Sequence, residues 1–543
     1  MKRRSFLQTA AALSAAPMLA CSRKTAPPLP PGTLSGNDFA LGHRLRNPDF
    51  PEPGETRRTP VLIIGAGIAG LSAAWRLARA GVRDFMIVDL EATAGGNARY
   101  GESAICRYPF GAHYLPLPTM ESAAVRHLLA DFGGLQGDPR LERPSYDERL
   151  LCHTPQERVY HKGIWQEGPI PRLGASADDR QQWLRFHARM AEFKEARDFL
   201  GRRAFALPVA AASRDARWLG FDSVTMAEWL AAENFDSVTL HWYVNYACRD
   251  DFGTDYRQTS AWAGIHYFAC RNGQAANAGG DAVLTAPEGN GWIVRRLTEK
   301  LADRLLTGAA CFRLEQQTKT VTADLFLKVE GRSIRIVAEQ VVWAAALFVL
   351  PRVAVSLPAP LAALAGAGEY APWLVANLSL SELPAAGVGA PLSWDNVLYD
   401  APGLGYVVAT HQQVRIAPGP SVFTYYRVLS ELPPAKAREL LMNSSREAWA
   451  TTILEELGRA HPDLPALTTR LDVFRHGHAM IRPLPGVVHS SARQALVNGW
   501  QRVQFAHADL SGMSLFEEAN YHGVRAAEVI LSRLGVGESS LLA

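Results

Sequence analysis

At 543 residues the chain is too long for one simple core, so two or more interleaved domains are expected. A hydrophobic fraction of 48% with 20% charged residues belongs to a globular protein and excludes extensive disorder. The formal net charge of +3, without a long run of one sign, excludes nucleic acid and an acidic surface as obvious partners.

In chain order, residues 1–21 read as an address. Lys2-Arg3-Arg4-Ser5-Phe6-Leu7-Gln8 is a twin-arginine pattern, and the Ala-rich stretch from Thr9 to Ala20 is too short to span a membrane. The sequence therefore predicts export to the periplasm as a folded protein. Pro17-Met18-Leu19-Ala20-Cys21 resembles a lipoprotein processing site, which leaves a lipid anchor at Cys21 or simple cleavage near Ala20 as alternatives. Residues 22–58, rich in Pro, Gly and Arg, form a linker: a tether or a surface-hugging arm, with ordered sequence from Val61.

Val61-Leu62-Ile63-Ile64 is a short apolar strand of buried parallel character. Gly65-Ala66-Gly67-Ile68-Ala69-Gly70 follows directly, and Leu71–Ala80 is a helix closed by Gly81. In this motif Gly65 makes the tight turn, Gly67 admits a pyrophosphate, and Gly70 lets helix and strand pack. Ile68 and Ala69 present the N–H groups of the helix N-terminus to the phosphates. Phe85–Val88 is the second strand, and Asp89, 19 residues beyond Gly70, is placed to bind a ribose hydroxyl. The alternative is a Gly-rich turn that binds no nucleotide.

Residues 180–242 are mostly helical, with Trp183, Phe186, Met190 and Phe193 as a core stripe. A helix is expected over Trp292–Leu306. Strands are expected at Leu325–Val329 and Ile334–Val337, and a buried strand at Gln340–Ala345. Leu374–Leu380, Gly405–Ala409 and Ser421–Tyr426 read as a second sheet, and a helix over Glu517–Leu534 closes the chain. The six cysteines show no metal-ligand spacing, so neither a metal site nor a disulfide framework is predicted.

Gly95-Gly96 follows Asp89 after five residues, and here the chain resembles the flavin-dependent amine oxidase superfamily, which also includes carotenoid-type desaturases. The family's Glu and Arg are replaced by Asp89 and Asn97. Gly111-Ala112-His113-Tyr114 resembles the segment that passes the flavin ring, and Pro287-Glu288-Gly289 the return to the nucleotide domain. Thr318 corresponds to a backbone contact with the adenine. Phe505–Asp509 with Glu517–Ala527 resembles the C-terminal flavin motif, in which Asp509 is the acid contacting the ribityl or phosphate portion and His507 stands for the usual Gly.

The resemblance implies an α/β fold, a Rossmann-like FAD-binding domain (59–150, 285–350, 482–543) interleaved with a mixed helical and antiparallel-sheet substrate domain (151–284, 351–481). It implies FAD bound non-covalently, because the usual attachment cysteine is missing. His113, Tyr114 and one of His476 and His478, with His478 preferred, become the pocket candidates, His113 either as a general base near neutral pH or as a residue that hydrogen-bonds backbone inside a packed turn. The family lysine that serves reaction with oxygen is absent; Asn377 or a neighbour takes its place, so a quinone or protein electron acceptor fits as well as oxygen.

Asp250, Asp251 and Asp255 form either a patch for a cationic substrate or a solvated loop of capping aspartates. The function expected is oxidation of a C–N bond in an amine, a polyamine among the options, by hydride transfer to flavin. Its rivals are a desaturase or isomerase of a lipid or isoprenoid, and a flavin-bound protein without turnover.

Overall fold

The structure, a computed structural model, describes residues 28–414, 417 and 419–542. The leader and Cys21 lie outside the described residues. Among those described, no helix is long and apolar enough to cross a membrane.

The strand Thr56–Ile64 organises the nucleotide half. Its apolar end is buried on both sides: Val61 and Ile63 enter one core, Leu62 and Ile64 the other. Period-two alternation inside a continuous apolar run is what a sheet covered on both faces requires. Met86–Val88 pairs parallel on one side, Arg332–Trp343 on the other. The sheet runs 305–306, 86–88, 56–64, 332–343, 321–327, 309–316, 354–355, and 503–505 joins the end of 332–343. Helices Ile68–Arg79, Gly291–Leu301 and Phe516–Arg533 cover the first face.

The second sheet is eight-stranded, in the order 34–36, 468–481, 370–380, 421–428, 405–408, 395–398, 157–161, 164–167. Its centre is antiparallel, and its flanks include the parallel pairs 34–36 with 468–481 and 395–398 with 157–161. A helical layer, Ala177–Glu195, Met226–Ala232, Val238–Phe252 and Ala261–Ala269, holds its own aromatic core containing Trp183, Phe186, Met190 and Phe193. The α/β class and the interleaving of a Rossmann-like part with a helix-and-sheet part are those expected.

Several expectations are corrected. Ordered structure begins well before Val61: the described part of the linker, residues 28–58, contains the strand Leu34–Gly36 and the helix Phe39–Arg44, so that part is an arm on the surface and not a tether. Ala354–Val355 extends the nucleotide sheet past the boundary set at 350. The strands expected at 334–337 and 340–345 are one twelve-residue strand, because its first part pairs with 321–327 and its last part with 503–505. Asp250 and Asp251 sit on the last turn of the helix Val238–Phe252, which Gly253 ends at φ +60°; they are not in a loop.

Candidate active site

A cavity of about 900 Å³ opens at the carboxyl ends of the nucleotide strands. This is where an open α/β sheet leaves space for a ligand. Gly65 turns the chain at φ +106°, and its N–H donates to Val88 O at 2.8 Å. A Cβ on Gly70 would lie 1.8 Å from Gly65 O, so Gly70 serves by letting helix and turn touch, and it does not line the cavity. Gly67 does line it: a Cβ there would meet only the Gly96 Cα at 3.9 Å, and no side chain caps the helix it begins. Ile68 and Ala69 stand beside it on the cavity wall. Uncapped N–H groups at a helix start, facing a cavity, are an anion site in search of its anion.

Asp89 holds the turn through two acceptor bonds, from Ala66 N at 2.5 Å and Glu91 N at 2.8 Å. Burial pushes its carboxyl up to about 6, against those bonds. Gly95, Gly96 and Asn97 pass under the helix start, Gly95 N donating to Ala66 O at 2.8 Å and Asn97 Nδ2 to Ala479 O at 2.6 Å. At the far end, Asp509 Oδ2 accepts from Tyr370 Oη at 2.7 Å and Leu347 N at 3.3 Å. Burial would raise Asp509, but the adjoining His507 and these donors hold it below the usual carboxylate range. His507, although buried, is raised by Asp509 in return. A cavity lined by two acids, Asp89 and Asp509, with uncapped helix N–H groups in its wall fits the expected FAD.

Thr318 is not on this cavity. It lies in the turn between strands 309–316 and 321–327, where its carbonyl accepts from Arg502 Nε at 3.3 Å. Ala309 and Cys311, at the opposite end of the same strand, line the cavity instead. The strand runs away from the nucleotide, so the residue count to its far turn misplaced the contact.

A second cavity of about 160 Å³ adjoins the first, with Asn97, Ala112, His476, Ala479 and Leu515 on both. Gly111, His113, Tyr114, Asp250, Asp251 and Arg271 belong to this second cavity. The segment 285–290 clamps 112–114: Thr285 Oγ1 donates to His113 O at 2.8 Å, Asn290 N to Ala112 O at 3.0 Å and Asn290 Nδ2 to Tyr114 O at 2.8 Å. The His113 ring stacks on Tyr426 at 4.5 Å. Burial lowers its pKa to about 3, which corrects the expectation of a base poised near neutrality; His113 is a neutral, weakly basic imidazole.

Tyr114 Oη and both oxygens of Asp251 accept from one guanidinium nitrogen of Arg271, at 2.9, 2.9 and 3.0 Å. His478 is corrected too. It faces the nucleotide cavity, tilted against Phe348 at 4.7 Å, and its side chain is exposed. His476 is the histidine shared by both cavities; its Nε2 is 2.6 Å from Phe110 O, and its buried Nδ1 has no partner. The register slips between Ala371–Met480 and Trp373–His476, so strict alternation no longer puts residues 476 and 478 on one face.

Sequence reading missed Arg271 and Tyr426, which line this cavity, and two carboxylates beside Asp250. Glu157 and Asp395 are register partners on parallel neighbouring strands, which sets like charges side by side. Glu157 is raised to about 7 by burial and then by Asp250. Burial and neighbouring carboxylates hold Asp250 and Asp395 well above the usual range. Asp395 accepts from Tyr246 Oη at 3.5 Å. Arg271 is the cation felt by Glu157 and Asp250, and it is already bound to Asp251. The wall behind Asp250 therefore carries an excess of buried carboxylates. Nothing local in the sequence marks Glu157 or Asp395, since pairing of distant strands creates the cluster.

The comparisons with known proteins agree with this geometry. The family model described as an NAD(P)-binding Rossmann-like domain matches residues 63–132, the span that holds the glycine turn, Asp89 and His113. The fold is similar to that of solved structures over 88% of the chain. A putrescine oxidase bound to putrescine aligns at 14% identity and TM-score 0.64, over 88% of this chain and 100% of that one. Cyclohexylamine oxidase from Brevibacterium oxydans aligns at 17% identity and TM-score 0.63, over 88% and 99%. A CLA-producing fatty acid isomerase from P. acnes aligns at 12% identity and TM-score 0.59, over 88% and 98%. At these identities the fold is what is shared. No curated protein matches the chain by sequence.

Proposed function

We propose that the protein is an FAD-dependent oxidoreductase that takes an amine, a polyamine among the candidates, and oxidises its C–N bond. The observation that carries the amine is the carboxylate excess of Asp250, Glu157 and Asp395 beside the pocket that adjoins the dinucleotide cavity. A fatty acid would bring a further negative charge there; an ammonium group offsets the repulsion. Its resemblance to the putrescine and cyclohexylamine oxidases in fold supports the reading, and the likeness to a fatty acid isomerase is the reason to test it.

Bound FAD supplies the hydride acceptor. The chain positions it with Gly67, Asp89, Asn97 and Asp509, and positions the substrate with Asp250 and the ring of Tyr426. The stacked, water-excluding wall of His113 and Tyr426 shields the reacting carbon, and neutral His113 adds no positive charge to repel an ammonium group. Burial raises the thiols of Cys311 and Cys270, which line the two cavities, to about 12, which supports FAD held without a cysteine linkage.

The decisive experiment is anaerobic addition of a panel of amines to the purified protein while the flavin band is recorded. Bleaching by one amine fixes cofactor, reaction and substrate together. A flavin that no amine bleaches moves the assignment to a lipid desaturase or isomerase, or to a protein without turnover. Reoxidation of the bleached flavin by a quinone faster than by oxygen supports a carrier as the electron acceptor. Export by the twin-arginine route, to the periplasm with or without a lipid on Cys21, belongs to the same proposal. Periplasmic recovery unaffected by Arg3→Lys with Arg4→Lys would remove it.

A further inference from the structure

The arm that precedes the nucleotide strand is built across the dinucleotide cavity. The strand Leu34–Gly36 pairs in parallel with Val473, Phe474 and Arg475 of the second sheet. Thr33 fastens it there, donating to Asp472 Oδ1 from N at 2.8 Å and from Oγ1 at 2.7 Å. The chain then crosses to the other sheet. Asp38 N donates to the Glu91 carboxylate at 3.1 and 3.2 Å, and the Asp38 carboxylate pairs with Lys328. Glu91 lies two residues beyond the ribose-side Asp89 and also receives Arg99 Nη1 at 3.0 Å.

Asn37, between these two moorings, and Asp38, Phe39, His43, Leu45 and Arg46, at and beyond the second, line the dinucleotide cavity. Leu41 does not: it is buried at 4% exposure against Ala310 and Phe326, on the side of the helix away from the cavity.

We propose that residues 33–46 are a strap that retains the dinucleotide cofactor. Resting on the reading that the cavity holds FAD, it adds a binding element from outside the Rossmann unit. The strap is tied at its start to the substrate sheet, at Asp38 to the loop that follows Asp89, and beyond that by Leu41 to the nucleotide half, so residues 37–46 form a wall that a cofactor in the cavity rests against. Arg46 adds positive charge on the wall of a cavity that has to hold a diphosphate, and the neighbouring His43, lowered by burial and by Arg46, adds a neutral imidazole.

Two measurements on the full mature chain test this. Hydrogen exchange of amides 39–46 is followed in the apoprotein and after FAD loading; exchange slows at least tenfold on loading if the strap closes on the cofactor. Leu41→Ser is then compared with the parent. Removing its buried aliphatic side chain loosens the helix from the nucleotide half, so FAD release after dilution accelerates by roughly tenfold or more. Retained secondary structure by circular dichroism shows that the variant has folded.

If FAD binds, yet exchange in 39–46 is the same with and without it and Leu41→Ser releases FAD at the parent rate, the strap is overturned. If the apoprotein takes up no FAD at all, the failure lies with the cofactor reading, a result the flavin titration separates from the first. Should Leu41→Ser not fold, the exchange comparison on the parent decides alone.

Discussion

Asp250 shows how a single carboxylate acquires a function from its surroundings. Alone at the end of a helix it would be a solvated acid or a cap. Here it lines a pocket, with Asp395 and Glu157 behind it and Asp251 already committed to Arg271. Burial and like charge both favour its neutral form, and an incoming ammonium group favours the carboxylate, so binding the cation ionises Asp250 and gives it a partner. Asp250→Asn keeps the shape and cannot ionise. A charge-assisted hydrogen bond contributes about 1.5–3 kcal/mol, so KM for the amine rises roughly 10- to 100-fold, with the flavin spectrum unchanged. Steady-state kinetics check this, and an unaltered KM returns Asp250 to a structural role.

At the scale of elements, the turn from strand Thr56–Ile64 into helix Ile68–Arg79 separates two kinds of glycine. Gly67 faces the cavity with room around it, whereas Gly70 is pressed against Gly65 O, 1.8 Å from where a Cβ would be. Gly67→Trp therefore folds but fills the phosphate site, and the protein purifies colourless with a normal circular dichroism melt. Gly70→Val forces helix and strand apart and lowers the melting temperature or prevents folding. A yellow Gly67→Trp protein would contradict the assignment of the cavity.

For the whole molecule the relevant balance is between buried acids and the ligands that satisfy them. The folded apoprotein raises Asp89 to about 6, and burial raises Glu517 and Glu518 to about 7. These values exceed those of the unfolded chain, so the folded state holds more protons and loses stability as pH climbs from about 4 to 7. Asp89→Asn removes one such group. The melting temperature of its apoprotein gains on the parent as pH rises through 6, and the gain shrinks once FAD is bound, because ribose hydroxyls donate to Asp89 in the parent. A pH-independent difference would show that Asp89 is not the titrating group.

What the sequence determined by itself was the nucleotide unit: Val61–Gly70 and Asp89 form a strand, a turn, a helix start and an acid that lie close along the chain, where spacing and local sterics fix the geometry. Tyr114, Gly111 and Asp509 were legible as well, through family-like runs. Only the tertiary structure decided the rest. Glu157 and Asp395 become neighbours because their strands pair in parallel register, and a register slip assigns His476, not His478, to the junction of the cavities. Thr318 falls off the site because its strand runs away from it. The arm, which composition alone reads as a linker, is ordered by hydrogen bonds to Asp472 and Glu91, far along the chain. Contacts between distant segments depend on how the sheets assemble, and no local pattern of residues encodes that.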